Sequence, residues 1–168
     1  MSVLFPILLL ITYLSISYQD FKAREVYLLT YAVLYGIFLI AILTSRFALN
    51  IDFVIINTCI LVAVICLLLV YYILRYQDAT VIRIRASVGW GDVLMLPTFI
   101  VSFSPGNLIV VFVISLVLSL IFYVVSNSRS SRVNTIPLAG IQALVLSILL
   151  CADFFGLLKM QVNYFPIF

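Results

Sequence analysis

Apolar residues fill six stretches of this chain: Val3 to Tyr18, Val26 to Thr44, Phe53 to Leu74, Val93 to Phe103, Leu108 to Val125 and Ile136 to Ala152. Each is apolar all round rather than at every second position, which predicts helices in lipid and not the alternating strands of a membrane barrel. Most approach the roughly 20 residues that cross about 30 Å of hydrocarbon. The fourth is short, since eleven residues rise only ~17 Å. The pattern therefore predicts an all-α, polytopic membrane protein with six transmembrane helices, forming a single domain over residues 1–168. Ser126 to Asn134 is a polar connector and Ser104 to Asn107 a tight turn, with no linker or internal repeat between them.

Composition strengthens this picture. Of 168 residues, 66% are hydrophobic and 9% charged, too little polar surface to coat a soluble globule of this size. No basic residue precedes the first apolar run and no small-residue cleavage site ends it, so it reads as a structural helix rather than a signal peptide. With the N-terminus outside, the inner loops hold Lys22, Arg24, Arg75, Arg83, Arg85, Arg129 and Arg132, and the outer side only Arg46 and Lys159. The positive-inside rule then places residues 19–25, 75–92 and 126–135 in the cytoplasm of a multi-pass protein of the cell (inner, cytoplasmic) membrane. Topology accounts for the net charge of +3, so membrane lipid is the expected surrounding and no nucleic-acid partner is implied.

Chemistry is constrained by what the chain contains. It has no histidine, which removes serine–histidine and cysteine–histidine catalysis and leaves carboxylates as the acid–base candidates. Cys59, Cys66 and Cys151 fall inside apolar runs without paired spacing and read as small apolar residues, not metal ligands. No metal, nucleotide or other cofactor is expected.

There are only six acidic residues. Asp52 is placed as an N-cap of the third helix, Asp153 lies just past the sixth run, and Asp78 sits in a polar loop. Glu25 is positioned to pair with Lys22 or to cap the second helix. Asp20 and Asp92 differ, because each is flush with the cytoplasmic end of a membrane helix, where an ionisable group is costly. Asp92 follows Gly89-Trp90-Gly91 and has an ordinary reading as the N-cap of the fourth helix; the glycines allow close backbone approach there. Asp20, beyond a helix ending near Tyr18, also has an ordinary reading as a surface partner of Lys22 and Arg24. The positive end of a helix dipole favours an ionised Asp92, and the negative end disfavours an ionised Asp20. Two carboxylates in contrasting environments are what an aspartyl peptidase needs to move a proton between water and a peptide carbonyl.

Gly89 to Asp92, "GWGD", resembles the GxGD signature of membrane aspartyl peptidases, and Asp20 to Val26, "DFKAREV", resembles the D-x-x-x-R-x-I segment of type IV prepilin and archaeal preflagellin peptidases. "IPLAG", Ile136 to Gly140, is similar to the Ile-Pro-x-Gly stretch at the start of that family's last helix. The resemblance implies a six-helix peptidase with Asp20 and Asp92 as catalytic aspartates and Gly89 and Gly91 as the glycines of the active-site loop. It implies cleavage, at the cytoplasmic face, of the leader of a pilin-like precursor whose N-terminal apolar helix lies in the membrane. The preferred assignment gives Asp92 the activation of water and Asp20, initially protonated, the stabilisation of the oxyanion. Tyr27 and Leu28 stand where the family often has Pro-Asn, and Leu94 where it commonly has lysine; these departures bear on substrate choice and activity. No CxxC pair or cysteine-rich segment is present, which implies a peptidase without a methyltransferase module, like the family's short forms. The same residues leave two alternatives: an inactive member serving as an assembly scaffold, and a small cation or proton transporter using Asp20 and Asp92.

Overall fold

A computed structural model of the chain describes residues 4–44, 50–75, 89–129 and 137–155. They form six helices: α1 Leu4–Ala23, α2 Leu28–Leu43, α3 Ile51–Arg75, α4 Trp90–Ser102, α5 Pro105–Arg129 and α6 Leu138–Phe154. Among the described residues the architecture is all-α. Helices α1, α3 and α5 are long and apolar enough to cross a membrane, whereas α2, α4 and α6 are shorter apolar helices. Asp78, Arg46, Arg83, Arg85, Arg132 and Lys159, on which part of the sequence reading rests, lie outside the described residues.

Helix α6 is the centre of the packing. Its buried residues lie on most of its circumference, and it touches α1, α4 and α5. Gly140 and the column Ala139, Ala143, Ser147 give it a face of small residues, which lets a neighbouring backbone come close without needing a hydrophobic force between helices. Ala139 meets Gly91 of α4, where a Cβ would lie 3.5 Å away, and Gly140 receives helix α1. Its buried residues Leu9, Tyr13, Ile16, Ser17 and Asp20 recur at helical spacing, while Leu4, Ile7, Ile11 and Leu14 point outward. Such wide apolar exposure suits a lipid-facing surface and no watery one.

Helix ends depart from the sequence reading in instructive ways. Helix α1 continues past Tyr18 to Ala23, so Asp20 lies in its last turn rather than beyond it. Asp52 is not the cap of α3; Asn50 is, its Oδ1 accepting the amides of Asp52 at 3.1 Å and Phe53 at 3.4 Å. Glu25 neither caps α2, which begins after Tyr27, nor holds Lys22, whose Nζ donates to the Tyr18 hydroxyl at 3.0 Å. The cap-like bond to α2 comes from Gln19 of α1, whose Oε1 accepts the Tyr27 amide at 3.1 Å and the Thr30 hydroxyl at 3.1 Å. Asp153 lies inside α6 rather than past it. Pro105, Gly106 and Asn107 are the first turn of α5, with proline at the position where a missing N–H costs nothing; only Phe103 and Ser104 separate α4 from α5.

The shortness of α4 leaves carbonyl groups at its end that must be satisfied inside the bundle. Asn57 of α3 supplies the donor, its Nδ2 reaching the Ile100 oxygen at 2.9 Å and the Phe103 oxygen at 2.7 Å. Phe99 of α4 then packs edge-on against Phe112 of α5, with centroids 5.9 Å apart. Helix α4 is thus fixed at its C-terminal end, and its first turn carries Asp92.

Candidate active site

Asp92 sits in the first turn of α4, three residues after Gly89. Gly89 occupies the N-cap position with extended backbone (φ −69°, ψ 135°), and Trp90 and Gly91 are already helical, which corrects the expectation that Asp92 is the N-cap. From that position a carboxylate folds back toward the N-cap amide, as the acidic member of a capping box does. The Asp92 carboxylate is faced by the amide of Gly89 and, from across the bundle, by the amide of Ala139. A Cβ on Gly89 would lie 3.1 Å from Asp92 Oδ2, so glycine there leaves the carboxylate room to fold back.

Asp20 is buried, 8% exposed, in the last turn of α1. Its Oδ2 accepts the backbone amide of Gly140 at 2.6 Å. A Cβ on Gly140 would lie 2.9 Å from that oxygen and 3.3 Å from the Ser17 carbonyl, so the contact requires glycine. The Arg24 side chain acts on the Asp20 carboxylate as a nearby positive charge. Arg24 itself has φ 57°, and its amide donates to the Asp20 carbonyl at 3.0 Å, closing α1 in the left-handed cap more usual for glycine.

Two helices therefore bring their aspartates to one place. Ala139 and Gly140 are successive residues in the first turn of α6, where amides have no intrahelical acceptor and the helix dipole is positive. One faces Asp92 and the other binds Asp20. The Asp20 charge acts on the Asp92 carboxylate. The expected contrast between the sites, with Asp92 at a positive helix end and Asp20 at a negative one, does not survive: Asp20 ends α1 but faces the positive end of α6.

The surrounding residues complete the setting. Gly91 abuts the Tyr31 hydroxyl, Ala139 and Val26, and a Cβ there would meet them at 3.3, 3.5 and 3.8 Å. Tyr31 donates to the Gly91 carbonyl at 2.8 Å, and one turn deeper Tyr35 donates to the Leu94 carbonyl. Leu94, where the resembling family has lysine, packs against the apolar core. Beside the Val26–Gly91 contact, Tyr27, Leu28 and Trp90 are exposed, forming an apolar rim. Among the described residues no group of histidine, cysteine, aspartate and glutamate side chains is arranged to hold a metal ion; Cys59 and Cys66 are exposed and Cys151 is partly buried.

Sequence reading singled out Asp20, Asp92, Gly89 and Gly91, and all four lie in this cluster. It missed Ala139 as a donor, and Tyr31 and Tyr35 entirely. The proline before Leu138 marks a helix start and hence free amides, which is the one local signal for the donor pair. Comparison with protein-family models, with curated proteins and with solved structures finds no match to this chain.

Proposed function

We propose that the protein is a six-span membrane aspartyl endopeptidase that removes the leader of a prepilin-like or preflagellin-like precursor at the cytoplasmic face. The observation that carries this reading is the convergence of Asp20 and Asp92, from separate helices, on adjacent amides of α6. In a chain with six acidic residues, ionisable groups are placed together within an apolar bundle only at a cost. Peptide hydrolysis by two carboxylates needs that arrangement. One takes a proton from water as the oxygen attacks the scissile carbonyl, and the other supplies a proton to the oxyanion. The new C–O bond forms as the carbonyl π pair moves to oxygen; collapse of that intermediate breaks the C–N bond, and the leaving nitrogen takes up a proton.

The short α4 supports the same reading, since a 13-residue helix fixed by Asn57 at one end leaves Asp92 below the level that a full span would reach. Exposed Tyr27, Leu28 and Trp90 give a precursor's apolar helix a surface to approach beside the aspartates. The test is direct. Purified protein in lipid nanodiscs is mixed with a pilin-like precursor, and products are identified by mass spectrometry. Cleavage at one site, lost in both Asp20→Asn and Asp92→Asn, is the expected result. An intact precursor with the parent protein rejects the peptidase reading and leaves the assembly scaffold.

A further inference from the structure

Nothing in the sequence separates Tyr31 from the other tyrosines, of which the chain has ten in all. The structure does. Tyr31 is 1% exposed in the first turn of α2, and its hydroxyl donates to the Gly91 carbonyl at 2.8 Å. The charges of both Asp20 and Asp92 reach its phenol. The Gly91 carbonyl and the Asp92 nitrogen belong to one rigid peptide plane, so holding the carbonyl fixes where the Asp92 Cα leaves that plane. Within α4 the Asp92 amide of that plane donates to the Gly89 carbonyl at 3.1 Å, and Tyr31 adds a second hold, on the carbonyl, from a neighbouring helix beside two glycines that have no side chain to pack.

We propose that Tyr31 is the positioning residue of the aspartate pair, holding the Gly91–Asp92 peptide plane so that the Asp92 carboxylate faces Asp20 and the α6 amides. This deepens the peptidase reading and rests on it for its catalytic consequence. Its geometric content stands apart from the reaction. Tyr35 provides a matched comparison: it has the same ring and the same kind of bond, to the Leu94 carbonyl one turn deeper, and no aspartate follows that carbonyl.

The experiment compares Tyr31→Phe and Tyr35→Phe in the full chain in nanodiscs, with two readouts. In precursor cleavage, Tyr31→Phe lowers kcat about tenfold or more while KM stays within about twofold, because catalytic orientation is lost and binding is kept. Its pH–rate profile moves as well; Tyr35→Phe leaves kcat within about twofold and the profile in place. In carbon-13 spectra of aspartate-labelled protein, the Asp92 carboxyl titration moves in Tyr31→Phe and stays in Tyr35→Phe, whatever reaction the pair performs. Unchanged kcat together with unchanged Asp92 titration in Tyr31→Phe overturns the proposal. A moved titration in a protein whose parent form cleaves no precursor rejects the peptidase reading and sustains the positioning role. Where Tyr31→Phe does not fold, Gly91→Ala crowds the same hydroxyl at 3.3 Å without removing it, and an unmoved Asp92 titration in that variant also overturns the proposal.

Discussion

Gly140 donates its backbone amide to Asp20 at 2.6 Å, and the space that a Cβ on Gly140 would need is already taken by that carboxylate. One small residue thus joins the last turn of α1 to the first turn of α6. Gly140→Ala should force the two apart, costing about 1–3 kcal/mol of stability as overpacking does, and should reduce cleavage more than it reduces folding. Gly36→Ala is the control: nothing lies within 4 Å of the added Cβ, and alanine within α2 should stabilise by about 0.5–1 kcal/mol. Thermal unfolding and cleavage measured on both variants check this. Equal unfolding temperatures would mean that the close approach is not required.

The aspartate pair has its own signature. Asparagine keeps an acceptor oxygen for the Gly140 amide, so Asp20→Asn should fold, as should Asp92→Asn, and neither should cleave. Their combination should be little worse than either alone, because groups that act together are strongly non-additive. Asp52→Asn should remain active, since Asp52 follows the Asn50 cap of α3 and lies far along the chain from the pair. Near-normal turnover in either single variant of the pair would sink the proposed chemistry.

These outcomes also bear on what was legible before the structure. Each of the six apolar runs coincides with a helix, because a long uninterrupted apolar stretch satisfies its backbone groups internally by coiling. Helix ends were harder. Ser17, Gln19 and Asp20 look like the end of a span, but Ser17 and Asp20 are buried against α6 and Gln19 is bonded to α2, so α1 continues through them. At α3 the sequence reading took Asp52 as the cap, but Asn50, two residues earlier, holds that position, because both residue types cap and the apolar run alone does not mark which one starts the helix. Asp20 and Asp92 stood out because acids are scarce in an apolar chain. Their shared partner did not, since a backbone amide has no letter in the sequence.

Asn57 carries a prediction about α4. It spans from α3 to the Ile100 and Phe103 carbonyls, so Asn57→Ala leaves one buried and one partly buried acceptor without their donor. The loss should be about 1–3 kcal/mol. Protein that does fold should keep its cleavage rate per molecule, because the contact fixes the far end of α4 rather than the end bearing Asp92. A variant as stable as the parent would show that the end of α4 is held some other way.

Orientation is testable without any substrate. In a background where Cys59, Cys66 and Cys151 are replaced by alanine, single cysteines near Arg83 and Arg129 should label only with reagents that enter the cytoplasm, and one near Asn50 should label from outside. The opposite pattern would remove the cytoplasmic site and with it the leader-peptidase reading.

Arg24 sets stability against function. At φ 57° it holds a backbone conformation that costs an ordinary residue about 1–2 kcal/mol and glycine almost nothing. Glycine gives some of that back as extra freedom in the unfolded chain, so Arg24→Gly should stabilise by about 0.5–1 kcal/mol, a rise in Tm of roughly 1–4 °C. The same change removes the positive charge acting on the Asp20 carboxylate, and cleavage should fall about fivefold or more. Arg24→Lys separates the two effects. It keeps both the charge and the strained backbone, so it should unfold with the parent and retain most of its activity. Thermal scans and initial rates on the two variants decide the matter: a glycine variant less stable than the parent would show that the contacts of the Arg24 side chain outweigh the cost of its left-handed backbone, and one with full activity would show that the Arg24 charge does not matter to Asp20.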